Sequence, residues 1–145
     1  MNEPSAVGYS GTPLPKKLGF KDGQTALFVN LPDDLAWLIG SVGFVTAERA
    51  DAVKVARERY DVIHAFFTSA ADLAAAAPKM IAAIRPDGMI WVSWPKKAAK
   101  VATDITEDEI RRIVLPIGLV DVKVCAVSAV WSGLKLVIRK ALRPA

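Results

Sequence analysis

Two tryptophans and two lysines are the residues whose types and spacing most clearly suggest a binding site. The segment Trp94-Pro95-Lys96-Lys97 ends an apolar run, and Trp131-Ser132 stands where two later apolar segments join. Indole rings stack on flat groups and lysines attract anions, so this set could hold a flat or anionic ligand. The alternative is that both indoles only cap the core and the lysines are solvated. The candidate ligand-binding residues are Asn30, Thr68, Trp94, Lys96, Lys97, Asp104, Trp131 and Ser132.

The other reactive side chains form no recognisable catalytic or metal site, and the catalytic residues are unknown. His64 is the single histidine and lies inside an apolar run, as expected for a core histidine with a hydrogen-bond partner. Cys125, the single cysteine, excludes an internal disulfide framework and suits a reducing cytoplasm. Asp61 and Asp104 could act on a ligand, but a turn or cap explains each as well. The sequence contains no Walker loop, serine-nucleophile elbow or metal-ligand spacing.

The loop after the first predicted strand argues against a bound cofactor. A dinucleotide or S-adenosylmethionine site needs a glycine-rich loop there, because a bulky side chain keeps the backbone away from the ligand. Here the loop is Asn30-Leu31-Pro32-Asp33-Asp34, in which proline also removes an amide donor. The second predicted strand lacks a terminal acidic residue suited to a ribose, unless Glu48 reaches back. We therefore predict no cofactor.

The elements that must position these residues are organised around a βαβ unit between residues 60 and 97. An apolar strand at 62–67, led in by Tyr60-Asp61, precedes an alanine-rich helix over 69–85. Ser69 and Asp72 resemble a capping box, and Pro78 should kink or restart the helix. A turn at 86–88 leads to a second strand at 89–93. The two strands should be parallel and buried on both faces.

The flanking segments complete the predicted architecture. Residues 1–24 form an arm laid over a single domain at 25–145, anchored by Tyr9, Leu14, Leu18 and Phe20. Thr106 and Glu109 form a capping box that opens a late helix. The alternating tail predicts an antiparallel hairpin. The remaining predictions are a short helix at 15–18, a strand at 25–30, a helix from 32 or 33 to 40, a brief strand at 42–45, a helix at 47–59 and a hairpin within 119–139.

These elements predict a three-layer α/β sandwich with a Rossmann-like, mostly parallel sheet and a C-terminal antiparallel hairpin. Ligands of such sheets bind beyond the carboxyl ends of the strands. Because the first hairpin strand should run parallel to the others, the hairpin turn should return to that edge. Trp131 and Ser132 are therefore expected near Trp94.

Composition limits the class of protein. The chain has 145 residues and 52% apolar content, which excludes a disordered chain. No apolar tract reaches the roughly 20 residues of a membrane helix, and the N-terminus does not resemble a secretory signal, so we expect a cytoplasmic protein without a membrane partner. The net charge of +4 is mildly basic. It could steer anions, but no run of five basic residues occurs, so a nucleic-acid partner is not expected.

The order of elements resembles the class I methyltransferase variant of the Rossmann fold, trimmed by one strand-helix unit. The block from Ile84 to Val92, after Tyr60-Asp61-Val62-Ile63, is similar to the methyltransferase strand that follows a proline-glycine turn. A closer resemblance is to a small bacterial family of uncharacterised proteins. The motifs that carry it are YSGTPL at 9–14, KKLG at 16–19, WVSWPKK at 91–97, TDIT at 103–106, and DVKVCAV at 121–127 with WSGLKL at 131–136. That resemblance implies no assigned activity.

Three functional hypotheses follow. The first is a non-catalytic Rossmann-like module that binds a small anionic molecule or a protein partner at the strand-end edge. The alternative is a divergent S-adenosylmethionine-dependent methyltransferase or other small-molecule transferase, with Asn30, Asp104 or Lys96 in its site. The third, nucleic-acid binding, requires a continuous basic face.

Overall fold

The structure, a computed structural model, describes residues 11–144. Its centre is a six-stranded sheet with the strand order β2-β1-β3-β4-β6-β5. The strands are β1 (Thr25–Val29), β2 (Thr46–Ala50), β3 (Tyr60–Phe66), β4 (Ile84–Pro95), β5 (Leu119–Ala126) and β6 (Trp131–Ile138). The α-helices are α1 (Leu14–Lys17), α2 (Ala70–Ala83) and α3 (Glu107–Val114). Short 3-10 helices cover Asp33–Gly40, Lys97–Ala99, Leu115–Ile117 and Lys140–Leu142.

The first four strands are parallel, and the C-terminal hairpin adds the antiparallel part of the sheet. β6 lies between β4 and β5, so β5 runs in the same direction as the parallel strands. The hairpin turn consequently lies at the carboxyl edge, where Trp94 is paired with Ser132. The predicted Rossmann-like α/β class with an antiparallel hairpin is confirmed.

Two apolar cores cover the two faces of the sheet. On one face, which we call the helical face, α2 and α3 bury Leu73, Met80 and Ile110 against the sheet. On the other, which we call the arm face, residues 11–20 and the 3-10 helix Asp33–Gly40 cover Phe28, Phe66 and other side chains. Alternate residues of each strand therefore enter different cores, as the two-residue period of a strand requires.

The N-terminal arm is part of the arm-face core. Leu14, Leu18 and Phe20 are buried there, as predicted, while Tyr9 lies outside the described residues. The Trp91 indole N–H donates to the Leu18 carbonyl oxygen at 2.8 Å, deep in the core. This bond satisfies a buried polar group on each partner, so the arm position is specified by hydrogen bonding as well as by packing.

Both predicted helix caps are present. The Ser69 hydroxyl accepts from the Asp72 amide at 3.2 Å, and the Thr106 hydroxyl accepts from the Glu109 amide at 3.1 Å. Each satisfies an amide that the first helical turn leaves unpaired. The α2 helix runs through Pro78 without restarting. None of the helices among the described residues is both long and apolar enough to span a membrane.

The prediction for residues 42–59 is wrong. The second strand is Thr46–Ala50, and residues 51–59 form no regular element where a helix was expected. Alanine and charged residues favour a helix locally, but all five β2 residues pair with β1 from Thr25↔Thr46 to Val29↔Ala50. Pairing against a buried neighbour outweighs local propensity, as is common for strands.

The predicted turn at 86–88 is instead an irregularity within β4. The register passes from Tyr60↔Ile84 directly to Val62↔Met89, so four β4 residues, 85–88, face a single residue of β3. Gly88 is buried there, and a Cβ at this position would lie 2.8 Å from the Asp61 carbonyl oxygen. The close approach of the β3 backbone explains why a glycine stands at this position.

Candidate functional site

The carboxyl ends of β1, β2 and β3 surround a cavity of about 310 Å³. One wall is formed by the exposed side of α2, and the opposite wall by the segment that follows β2. The lining residues are Val29, Asn30, Asp51, Ala52, Val53, Phe67, Asp72, Ala75, Ala76 and Lys79. This is the position at which open α/β sheets bind their ligands.

The polar groups of the cavity are two carboxylates, one ammonium and one amide. Asp51 follows the last residue of β2, and Asp72 lies in the first turn of α2. Lys79 lies two turns further along the same helix, and all three side chains are exposed to solvent. Carboxylates accept hydrogen bonds from hydroxyl and amino groups, so the arrangement suits a ligand rich in such donors.

Asp51 is the residue that the sequence prediction missed. With the second strand placed at 42–45, no acidic residue ended it. In the structure the second strand is Thr46–Ala50, so Asp51 lies at its carboxyl end and faces the cavity. No local pattern in residues 46–51 distinguishes a strand from a helix; pairing with β1 decides it.

Asn30 closes the end of β1 and fixes the edge of the cavity. Its backbone lies in the left-handed region, with φ of 55°. Its amide donates to the Ala50 carbonyl at 2.9 Å, and its side-chain Nδ2 donates to the Phe66 carbonyl at 3.2 Å. One residue thus ties β1 to the ends of both neighbouring strands, and its side chain already has a structural partner.

The loop after β1 is held by an arginine from β2. The Arg49 guanidinium donates at 2.7 Å to both the Leu31 carbonyl and the Asp33 carboxylate. Pro32 has no amide proton, and the chain then enters a 3-10 helix. The loop therefore differs from the glycine-rich turn and α-helix N-terminus that bind phosphates in dinucleotide-binding folds.

The two tryptophans lie at the same sheet edge but on opposite faces. Trp94 is in the helical-face core, whereas Trp131 packs against the arm-face core, where its ring meets Phe66 edge-on at 5.2 Å. Trp94 is paired with Ser132, and Trp131 with Pro95. Trp131 is paired with the residue next to Trp94, and successive strand residues point to opposite sides of a sheet. The expectation that both indoles hold one ligand is thus corrected.

The other predicted site residues are placed apart from the cavity. The Lys96 amide donates to the Val130 carbonyl at 2.7 Å, and Lys97 begins an exposed 3-10 helix. Thr68 is exposed, and its carbonyl accepts from the Thr103 hydroxyl at 2.7 Å. Asp104 accepts from the Ala70 amide at 2.7 Å, so its carboxylate acts as a second cap on α2.

His64 and Ser93 form a buried polar pair under the arm. The His64 Nε2 lies 2.7 Å from the Ser93 hydroxyl oxygen, and the Phe66 ring stacks on the imidazole at 4.4 Å. Burial lowers the pKa of His64 to about 3, so the ring is neutral, and its Nδ1 has no hydrogen-bond partner. Both residues lie outside the cavity.

Comparison with known proteins supports the fold. A protein from Sulfolobus solfataricus described as a type 11 methyltransferase has a structure similar to 97% of this chain and 98% of its own, with a TM-score of 0.65 and 11% identity. A SAM-dependent methyltransferase from Aquifex aeolicus matches with a TM-score of 0.64 and 17% identity over 85% of this chain and 86% of its own. An S-adenosylmethionine-dependent methyltransferase from Mesorhizobium loti matches with a TM-score of 0.59 and 13% identity over 91% and 98%.

At these identities the similarity shows a shared methyltransferase-type fold and nothing finer. No family model matches the chain, and no curated protein matches it. Membership of the uncharacterised bacterial family suggested by the sequence motifs stays a prediction.

Proposed function

We propose that this protein is a non-catalytic module of the methyltransferase fold that binds a small molecule in the cavity at the carboxyl ends of β1, β2 and β3. The observation that carries the proposal is the position of Asp51, at the end of β2 and facing a cavity of about 310 Å³. In Rossmann-like folds an acidic residue about 20 positions after the first loop binds ribose hydroxyls. Asp51 follows Asn30 by a similar interval.

The lining groups favour a ligand with hydroxyl or amino donors. Asp51 and Asp72 outnumber the single cation Lys79, so the cavity itself does not select for a strongly anionic molecule. The lysines that suggested an anionic ligand, Lys96 and Lys97, do not line it. A nucleoside fits this cavity, because its ribose hydroxyls can donate to the carboxylates and its flat base can pack against the partly apolar wall.

The loop after β1 supports a binding role without catalysis. Methyl donors and dinucleotides carry charged groups that such folds hold with free backbone amides at a helix start. Here Pro32 removes one amide, and Arg49 links the Leu31 carbonyl to Asp33. A ligand that lacks such a charged group therefore fits the loop better.

Calorimetric titration of the protein with adenosine, S-adenosylmethionine, S-adenosylhomocysteine and NAD tests the proposal. We expect adenosine to bind at least as tightly as the charged compounds. Asp51→Asn should weaken binding about tenfold, the equivalent of losing one charge-assisted hydrogen bond. Asp34→Asn is the matched control, because Asp34 is exposed and does not line the cavity. Failure of all four compounds to bind at millimolar concentration would contradict the proposal.

A second candidate, an S-adenosylmethionine-dependent methyltransferase, is favoured by the three similar structures described above. Equilibrium dialysis distinguishes the candidates. A methyltransferase should bind S-adenosylmethionine and S-adenosylhomocysteine in preference to adenosine, whereas the non-catalytic module should show no such preference. Absence of S-adenosylmethionine binding at millimolar ligand rejects the enzyme.

A further inference from the structure

Five lysines gather on the arm face of the C-terminal hairpin, although they are far apart in the chain. Lys17 and Lys21 belong to the N-terminal arm, Lys96 follows β4, and the other two belong to the hairpin. We call this set the lysine face; its members are Lys17, Lys21, Lys96, Lys123 and Lys135.

The hairpin places two of these lysines directly side by side. Lys123 of β5 is paired with Lys135 of β6, and the next pair on the same face is Cys125 with Gly133. A Cβ on Gly133 would touch Trp91 and Ser93, which locates this face on the arm side of the sheet. Opposed residues of an antiparallel pair have their Cβ atoms about 5 Å apart, so the two lysine stems start as neighbours.

The remaining lysines surround this pair. Lys21 and Lys135 line one cavity of about 350 Å³. Lys17, Lys96 and Lys123 are all close enough to Cys125 to act electrostatically on its thiol, although burial raises the pKa of that thiol overall. Lys21 and Lys135 thus share one cavity, and the other three lysines surround Cys125 on the same side of the hairpin.

Among the described residues, none of the five lysines forms an ion pair with a carboxylate. Every ion pair found within residues 11–144 is made by an arginine: Arg49, Arg59, Arg85, Arg111 and Arg112. Asp61 and Asp87 border the cavity shared by Lys21 and Lys135, and Asp61 is paired with Arg85. The nearby Asp121 binds Arg111.

Repulsion between these lysines destabilises the folded protein, and a bound anion would relieve that repulsion. Lys135 is half-buried, and burial together with the charges of Lys123 and Lys21 lowers its pKa. Like charges directly opposite on a sheet destabilise it. A cluster of lysines with no ion-pair partner among residues 11–144 is therefore better explained by a ligand than by the needs of folding.

We propose that the lysine face binds single-stranded nucleic acid. Positive groups spread across the hairpin, the end of β4 and the arm fit a ligand with repeated anions better than a single small one. The half-buried Trp131 lies on the same face, four residues from Lys135, a separation of about 13 Å along a strand. Basic surfaces with aromatic platforms bind single strands, because each unpaired base offers a face for stacking.

Trp131 is also the reason to prefer nucleic acid over an acidic peptide. Lysine ammonium groups attract carboxylates and phosphates alike, so charge does not discriminate. A peptide of acidic residues has nothing to stack on an indole, whereas an unpaired base does. The basic face that the sequence analysis required for a nucleic-acid partner is thus assembled only by the tertiary structure.

The test is fluorescence anisotropy of a labelled oligothymidylate of about 12 nucleotides at low salt. We expect binding whose logarithm falls with log salt, with a slope of about −0.7 for each phosphate neutralised. The double variant Lys123→Ala/Lys135→Ala should lower the affinity about tenfold or more and make the slope less steep by about 1.4. Trp131→Leu should weaken binding with no change in slope.

The matched control is Lys54→Ala/Lys140→Ala, which removes the same charge from exposed positions outside the lysine face. Each variant is checked by circular dichroism and thermal unfolding before titration. The proposal is overturned if the wild-type protein fails to bind, if the control loses as much affinity as the double variant, or if poly-glutamate of equal charge displaces the oligonucleotide as well as unlabelled oligothymidylate does. Adenosine binding is measured in parallel, because the cavity is on the helical face and its ligand should be unaffected by the lysine variants.

Discussion

At the scale of single residues, the buried pair His64–Ser93 shows how one side chain can affect the whole stability of the domain. The imidazole is fully buried beside four aromatic rings of the arm face and has one hydrogen-bond partner. A charged imidazolium there would lose its hydration without gaining a counter-ion. The sequence placed His64 in the core correctly, and the structure adds its partner.

Stability should therefore fall as the pH falls below about 6.5. The pKa of His64 is about 3 in the folded protein against an ordinary value of 6.5, so only the unfolded chain takes up this proton between those values. The free energy of unfolding should decrease with a slope approaching about 1.4 kcal/mol per pH unit between about pH 6 and 5, above the range of most carboxylates. Urea denaturation at several pH values measures this. His64→Gln, which does not titrate, should show a flatter profile; equal slopes would contradict the assignment.

Gly88 provides a second test at the residue scale. A Cβ there would lie 2.8 Å from a backbone oxygen of Asp61, which cannot move without disturbing β3. Gly88→Ala should therefore destabilise the protein by about 1–3 kcal/mol, the usual cost of overpacking. Gly40→Ala is the control, because a Cβ added at Gly40 would have no atom within 4 Å. Chemical denaturation should show little loss for the control.

At the scale of elements, strand pairing stabilises the hairpin β5–β6, whereas repulsion between its lysines destabilises it. Its register is continuous with the sheet through β6, yet the middle of β5 is exposed on both faces. The register shifts between Asp121 and Lys123, as in a β-bulge. Bulges and lysines on an edge strand both discourage pairing with another chain.

Replacing Lys123 should stabilise the hairpin. Lys123→Gln removes the like charge opposite Lys135, so the free energy of unfolding should rise by about 0.2–1 kcal/mol at low salt. The gain should shrink as salt screens the repulsion in the wild-type protein. Thermal unfolding at two salt concentrations measures both effects, with Lys140→Gln as the control. A loss of stability would mean that Lys123 has a favourable contact in the free protein.

At the scale of the whole molecule, the arm completes the second layer of the sandwich. One sheet face is covered by α2 and α3, while the other depends on residues 11–20 and the 3-10 helix Asp33–Gly40. Leu18 is fully buried, and its carbonyl accepts the Trp91 indole N–H. The arm is thus required for a closed core.

Leu18→Ala should consequently cost as much as a substitution within the central sheet. We expect a loss of about 2–5 kcal/mol in the free energy of unfolding, the usual range for a buried leucine. The control is Lys16→Ala, an exposed position in the short helix α1 that Leu18 ends. If urea denaturation showed the two variants to be equally stable, the arm would be a dispensable extension.

Local patterns alone determined much of this protein: the βαβ unit, the capped helices α2 and α3, the alternating hairpin and hence the Rossmann-like class. The helices and the hairpin depend on contacts between residues close in the chain, and the strands of the βαβ unit on their apolar runs; periodicity and cap residues report these directly. Three features were decided only by tertiary structure. Pairing with β1 made residues 46–50 a strand and placed Asp51 at the cavity, the alternation of strand faces separated Trp94 from Trp131, and packing of the arm brought distant lysines together. All three depend on which segments meet in space, which no local pattern encodes.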